Sequence, residues 1–218
     1  VLAWGRVGSG LNVPDKAEEF LVDDRDEVAA IRERILAVAD RLFYAQGIKS
    51  VGVDAIVAEL GISKKTLYRH FPSKDDLVIA YLQGRFRPLP AASTKPPAEQ
   101  ILANLEWIAR SLDSAREFRG CAFQNVLAEI GSEDSKVREL AIAYKESRRL
   151  WYRGLLSQLD VDDPDTLATQ LALLVDGAYA AVLIHQNSAM MRPAIAAART
   201  LLKAAGVSIS TGEAKLAP

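Results

Sequence analysis

The residues with the most chemistry to offer lie between Gly61 and Lys74. That stretch carries Lys64, Lys65, Arg69 and Lys74 with no acid among them, interleaved with Ser63, Thr66, Tyr68 and His70. Cations and neutral donors in so short a span suit a polyanion of fixed geometry. Ammonium and guanidinium groups neutralise phosphates, hydroxyls donate to phosphate oxygens, and a lysine can reach guanine O6 and N7. Little else in the chain offers a reaction. There are two histidines, His70 and His185, and one cysteine, Cys121. No metal-ligand spacing, phosphate loop or nucleophile elbow is present, and Gly8-Ser9-Gly10 lacks the strand and helix of a nucleotide fingerprint. The reading is a binding protein, not an enzyme, with no metal and no cofactor.

The elements that must position these residues follow from periodicity. From Val28, apolar residues Ile31, Ile35, Val38, Leu42 and Phe43 share one helical face, and Gly47 stops the helix. A shorter helix spans residues 53–60 with Ile56, Val57 and Leu60 inward. Gly61 supplies a turn and Ser63 caps the next helix, anchored by Leu67 and Phe71 four apart. Pro72 ends it. Ser73 and Asp76 form a capping box for a fourth helix that runs through Leu77 and Tyr81 to about Phe86. Two short helices joined by a glycine turn make a helix-turn-helix unit, whose second helix enters the major groove by its N-terminal residues, here Ser63, Lys64, Lys65 and Thr66. Tyr68, Arg69 and His70 would hold the backbone. Tyr68 is alternatively a core aromatic, and His70 a C-terminal cap. Lys74 follows an N-cap, where a cation opposes the helix dipole unless an anion docks there; taken alone it is equally an ordinary surface lysine.

Bulk properties bound the rest. The chain has 218 residues, half of them apolar, and a formal net charge of -1, so any nucleic-acid surface is local. Residues 1–24 carry two bases against five acids; residues 25–85 carry ten against eight. The first segment reads as an N-terminal arm. A single cysteine allows no internal disulfide, which fits a reducing, cytoplasmic setting. No stretch reads as a membrane span, so no membrane is expected. Residues 87–97 hold four prolines in eleven positions, the clearest boundary. This divides the chain into the arm, a DNA-binding domain at 25–86, a second helical domain at 98–206 and a tail at 207–218.

The second domain is helical throughout, and the fold class is all-α. Stripes begin at Ile101, Cys121, Val137, Pro164 and Pro193. The helix through Leu167 and Ile184 is apolar nearly all round, so it must face a core or a partner chain. Small residues on the last two helices, with Gly177, Ala181, His185, Ala198 and Leu202, suggest a dimer surface; the alanines alternatively only raise helix propensity. Aromatic walls with polar handles would make a ligand pocket: Trp107, Phe123, Trp151 and Tyr179 with Gln124, Tyr144 and Asp176, each aromatic being alternatively plain core. Asp176, set in an apolar run, must pair, bind a polar ligand or point outward.

Residues 31–82, about a quarter of the chain, resemble the DNA-binding domain of the TetR family of bacterial transcriptional regulators. The carriers are Ile35-Leu36 through Phe43 and Gly47, then Ile56, Leu60-Gly61-Ile62-Ser63, Thr66-Leu67-Tyr68-Arg69-His70-Phe71, and Ser73-Lys74 with Leu77. Gly52 stands where the family usually has Ser or Thr, and Val57 where it usually has Ala. The resemblance implies phosphate contacts from Tyr68 and Lys74 and base contacts from Lys64 and Lys65. It also implies a homodimer on double-stranded DNA at a palindromic operator, and a C-terminal ligand-binding and dimerisation domain whose small-molecule effector releases a repressor. The competing reading is a helical protein-interaction module with weak or lost DNA binding.

Overall fold

A computed structural model describes residues 16–86, 89, 93–113, 117–131 and 135–209. Among these the structure is helical: α1 (Lys16–Gln46), α2 (Val53–Leu60), α3 (Lys64–His70), α4 (Lys74–Arg85), α5 (Pro97–Asp113), α6 (Ala122–Ile130), α7 (Ser135–Leu156), α8 (Pro164–His185) and α9 (Met191–Ala204), with a 3₁₀ turn at Ser188–Met190. The last part of the expected arm, residues 16–24, is helical. α1 starts at Lys16, not near Val28. Residues 16–27 have no apolar stripe, but Lys, Ala, Glu and Leu extend a helix already nucleated downstream. Residues 1–15 and 210–218 of the arm and tail, and much of the proline-rich junction, lie outside the described residues.

The short helices are set by their ends. Gly61 closes α2 in the left-handed region, φ 65° and ψ 29°. The Ser63 hydroxyl accepts from the Thr66 amide at 3.0 Å and starts α3. Ser73 accepts from the Asp76 amide at 3.0 Å and donates to the Asp76 carboxylate at 2.7 Å, so the capping box closes through side chains. Asp163 caps α8 through the Thr166 amide at 3.0 Å, with Pro164 as its first residue. Gly52 precedes α2 with no side-chain cap, as its lack of a hydroxyl requires.

Two hydrophobic cores form, and their border does not follow the proline-rich junction. The first joins Ile35, Phe43, Ile56, Leu67, Phe71 and Tyr81 to Phe123 and Val126 of α6 and Val137 and Ala141 of α7. The second joins α5, α8 and α9 to Tyr152, Leu155 and Leu156 at the other end of α7. Helix α7 therefore belongs to both. Polar ties reinforce the first body. The Tyr44 hydroxyl accepts from the Arg119 amide and donates to the Gly120 carbonyl, each at 3.0 Å. The Lys49 amide donates to Glu129 at 2.8 Å. Arg85 grips Asp40 through two bonds of 2.6 and 2.8 Å and lies 4.0 Å over the Tyr44 ring.

Contrary to the sequence reading, α8 is long and apolar enough to cross a membrane by length and composition. Its inward residues, Leu167, Leu171, Val175, Ala178 and Val182, sit in the second core. Asp176 on the same helix pairs with Lys145 of α7 at 2.6 Å. Both are the habits of a bundle helix with one uncovered face.

Candidate nucleic-acid interface and effector cavity

Helix α3 presents its chemistry because it has one inward side chain. Leu67 is fully buried, and Phe71 at the helix end is nearly so. With that face fixed, Lys64, Lys65, Tyr68 and Arg69 all fall on the exposed side. Tyr68 is 41% exposed, which settles it as a surface ring and not a core aromatic. Ser63 and Thr66 do two jobs. Their hydroxyls lie 3.0 Å apart and hold the helix start, while Ser63 stays open to solvent.

Two neighbours modify the expected contacts. Lys64 pairs with Asp54 of α2 at 2.7 Å, and that hydrogen bond, followed by the charge of Asp54, raises its pKa. A base or phosphate must compete with this carboxylate. The sequence reading missed Asp54, which lies ten positions earlier across the turn and has no local signature. His70 departs further from its expected role. Its Nε2 is enclosed and has no hydrogen-bond partner. Burial first, then the cations of Arg69 and Arg32, lower its pKa, so the ring is neutral near pH 7. The enclosed nitrogen offers no phosphate contact, and α3 is instead closed by the Phe71 amide on the Leu67 carbonyl at 3.0 Å.

Lys74 opens α4 and shares a recess with Lys49, Ile48 and Val137. Asp75 and Asp76 follow it directly, and both lie in the first turn of the helix. They already complement the dipole, so anion attraction at this helix start rests on the Lys74 ammonium.

The expected pocket residues separate into four places. Trp107 and Trp151 border a cavity of about 450 Å³ between α5 and α7. Phe123 and Tyr144 do not border it. They stack on one another with centroids 3.8 Å apart, and Phe86 at the end of α4 meets both rings edge-on. The arrival of Phe86 makes this a closed aromatic cluster of the first core. Gln124, beside Phe123 on α6, is half-buried and does not border the cavity either. Tyr179 stacks on Phe118 at 5.8 Å. Asp176, held by Lys145, borders a separate recess between α7 and α8, together with Tyr144 and Arg148. The cavity also holds residues the sequence reading missed, Asn104, Arg110 and Arg148. Only Asn104 had a visible signal, as a polar residue inside the apolar stripe of α5; it is buried and accepts from the Tyr152 hydroxyl at 2.9 Å.

The expected dimer residues also divide. Ala198 and Leu202 are fully buried in the second core, so they cannot meet a partner chain. Gly177 and His185 are exposed and Ala181 half-buried. The uncovered stripe of α8 is Leu173, Gly177, Ala180 and Ile184, with Leu173 64% and Ile184 74% exposed. Cys121 precedes α6, half-buried and free, with no capping bond.

Comparison with known proteins agrees with this arrangement. Residues 35–81 match the model for bacterial regulatory proteins of the tetR family. Residues 97–197 match the C-terminal domain of LmrA/YxaF-like transcriptional regulators. Over 157 residues the chain is 31% identical to the HTH-type transcriptional regulator Rv1255c of Mycobacterium tuberculosis, covering 68% of this chain and 72% of that protein. Over 124 residues it is 33% identical to the regulator LmrA of Bacillus subtilis, covering 53% and 65%. The solved structure of SCO4454, a TetR-family transcriptional regulator from Streptomyces coelicolor, is similar with a TM-score of 0.72 at 32% identity, covering 80% of this chain and 95% of that one. These relatives are regulators of transcription, not enzymes. The chain belongs to the TetR family of bacterial transcriptional regulators, with its DNA-binding domain at the N-terminal end and a helical C-terminal domain behind it.

Proposed function

We propose that the protein is a cytoplasmic homodimeric repressor that binds a palindromic operator and leaves it when a small-molecule effector occupies the cavity between α5 and α7. The observation that carries this is the exposed face of α3, where Lys64, Lys65, Tyr68 and Arg69 surround a helix fixed by one buried leucine. Lys64 and Lys65 would read bases, while Tyr68, Arg69 and Lys74 would hold phosphates with the Ser63 and Thr66 hydroxyls. A second copy would cover the apolar stripe of α8 and set two recognition helices about 34 Å apart, one turn of DNA.

A route for release is supported by contacts already described. Arg148 borders the cavity and donates to the Tyr144 hydroxyl at 3.4 Å. The Tyr144 ring meets Phe86, the residue that ends α4, at 5.0 Å. A ligand that moves Arg148 would shift Tyr144, then α4, and with it the spacing of the two α3 helices. A coupling of about 1–3 kcal/mol would then lower DNA affinity roughly 5- to 150-fold.

The test is fluorescence anisotropy on DNA fragments from around the protein's own gene, at two salt concentrations, with an unrelated fragment as control. The reading requires tight, salt-sensitive binding that prefers the native fragment. Lys64→Ala with Lys65→Ala should abolish the preference, whereas Lys74→Ala should weaken all fragments alike and reduce the salt slope by about one. An unchanged preference in the Lys64/Lys65 double variant would overturn it in favour of a protein-interaction module. Ile184→Asp should give monomers by analytical ultracentrifugation; an unchanged mass would remove α8 from the interface.

A further inference from the structure

We propose that the cavity between α5 and α7 takes a planar aromatic anion whose acid group is held by Arg148. This rests on the reading of that cavity as the effector site and adds the chemical class of the ligand. Among the described residues, the charged groups bordering the cavity are Lys95, Arg110 and Arg148, with no carboxylate. Several acids of α5, α7 and α8 are already committed. Glu106 pairs with Arg199 at 3.0 Å, Asp176 with Lys145 at 2.6 Å, and Asp165 with Arg149 and Arg153, each at 2.9 Å. Glu146 receives the Arg149 guanidinium.

Arg148 is left with phenols. It donates to the Tyr144 hydroxyl at 3.4 Å and lies 5.9 Å from that ring, and Tyr179 supplies a further hydroxyl. Among the described residues it has no carboxylate partner. A half-buried guanidinium whose hydrogen bonds go only to phenols can gain charge-assisted, paired hydrogen bonds from an anion. Asn104 adds to the same polarity. Its carbonyl oxygen is taken by Tyr152 at 2.9 Å, which leaves its amide N–H groups for the cavity. The aromatic walls are the indoles of Trp107 and Trp151, with Leu89, Ala103, Ser93 and Gln100 completing the lining. Flat, apolar faces favour a flat ring system, and a volume of about 450 Å³ is in the range of small-molecule sites. Cations gathered beside two indoles, with no carboxylate among the described lining residues, favour an anion over a cation or a neutral analogue.

The test is calorimetric titration of the full chain with 2-naphthoate and with its neutral counterpart 2-naphthamide. The carboxylate should bind saturably, at least about tenfold tighter than the amide. The preference should fall to within about twofold in Arg148→Gln, survive in Arg148→Lys, and be unchanged in Arg153→Gln, which lies outside the cavity. Circular dichroism melts establish that each variant is folded. Equal affinity for the two ligands, a preference that persists in Arg148→Gln, or no saturable binding of either would each overturn the inference. Anisotropy on the operator in the same samples separates it from the wider reading. Arg148-dependent binding of naphthoate that leaves DNA affinity unchanged would uphold the anion site and sink effector release. Release by both ligands alike would uphold effector release and sink the anion site.

Discussion

The two cores are built from different materials. The first is aromatic and cross-tied: Phe43, Phe71, Tyr81 and Phe123 are buried in it, Phe86 and Tyr144 pack on it, and Arg85, Tyr44, Arg119 and Glu129 lace its outer turns. The second is mostly Leu, Ala, Val and Ile, with Tyr152 as its one buried ring among the described residues, and it borders the cavity and the uncovered stripe of α8. Interlocked rings in few orientations make a stiff body. Aliphatic helices around a void can re-pack at lower cost. The contrast assigns the work: the first core holds the recognition helix and α4 in fixed relation, and the second can yield to a ligand. The two cores meet along α7, whereas the two family-model matches lie on either side of the proline-rich junction.

The strongest way to break that picture is to strike the first core from beyond the sequence boundary. Phe123→Ala removes a fully buried ring from α6 and should cost about 3–5 kcal/mol. It should also abolish operator binding, although Phe123 lies more than fifty residues from Lys65. Urea unfolding followed by circular dichroism, with anisotropy for DNA, measures both. A variant that keeps wild-type DNA affinity while losing stability only in the second body would restore the boundary at residues 87–97.

Gly47→Ala probes the same border more gently. Gly47 has φ 89°, and an added Cβ would meet the Glu129 carboxylate at 2.7 Å. That carboxylate holds the Lys49 amide. The substitution combines backbone strain with a displaced hydrogen bond and should cost more than about 1 kcal/mol. Gly61→Ala is the control, since it too has positive φ (65°) but nothing lies near its added Cβ. An equal loss in both variants would mean that strain alone acts and that the Glu129 contact ties nothing.

What could be read before the fold was known follows the same division. The recognition face was legible because its determinants are local: Leu67 and Phe71 four apart, caps at Ser63 and Ser73, and a stop at Pro72. The cavity was legible only as two indoles. Phe123 and Tyr144 look like any other aromatics until Phe86, from the other side of the junction, arrives to enclose them. Ala198 and Leu202 share a helix with exposed residues such as Ala196 and Thr200, and only the direction from which α8 packs decides which face is inward. Arg148 has no signal in the chain, because its lack of a carboxylate partner is a property of three helices at once.

A smaller effect concerns His70 and pH. Its pKa is lowered in the folded protein, first by burial, so the unfolded chain takes up the proton more readily. The resulting stability is present above the usual imidazole pKa near 6.5 and is lost as pH falls through and below it. Thermal melts should therefore show a falling midpoint between pH 7.5 and 5.5, and His70→Gln should flatten that dependence. A steeper loss in the variant than in the wild type would show that the enclosed nitrogen is a proton-bound, stabilising group instead.

The finest adjustment lies on the recognition face itself. Asp54 holds Lys64 at 2.7 Å with both side chains open to solvent, so the pair contributes little to folding and should leave the melting temperature unchanged when broken. Its effect should appear in DNA binding. Asp54→Ala frees the Lys64 ammonium and removes an acid beside the phosphates, and both changes favour a polyanion. Affinity for the operator should rise by about threefold, and affinity for unrelated DNA should rise at least as much, because a lysine released from a fixed position reads bases less selectively. The ratio of the two affinities therefore decides what Asp54 does. A fall in that ratio makes it a positioning residue that trades affinity for register. A fall in operator affinity instead would mean that the carboxylate touches DNA directly, accepting from a cytosine amino group, and that Lys64 is the residue being positioned.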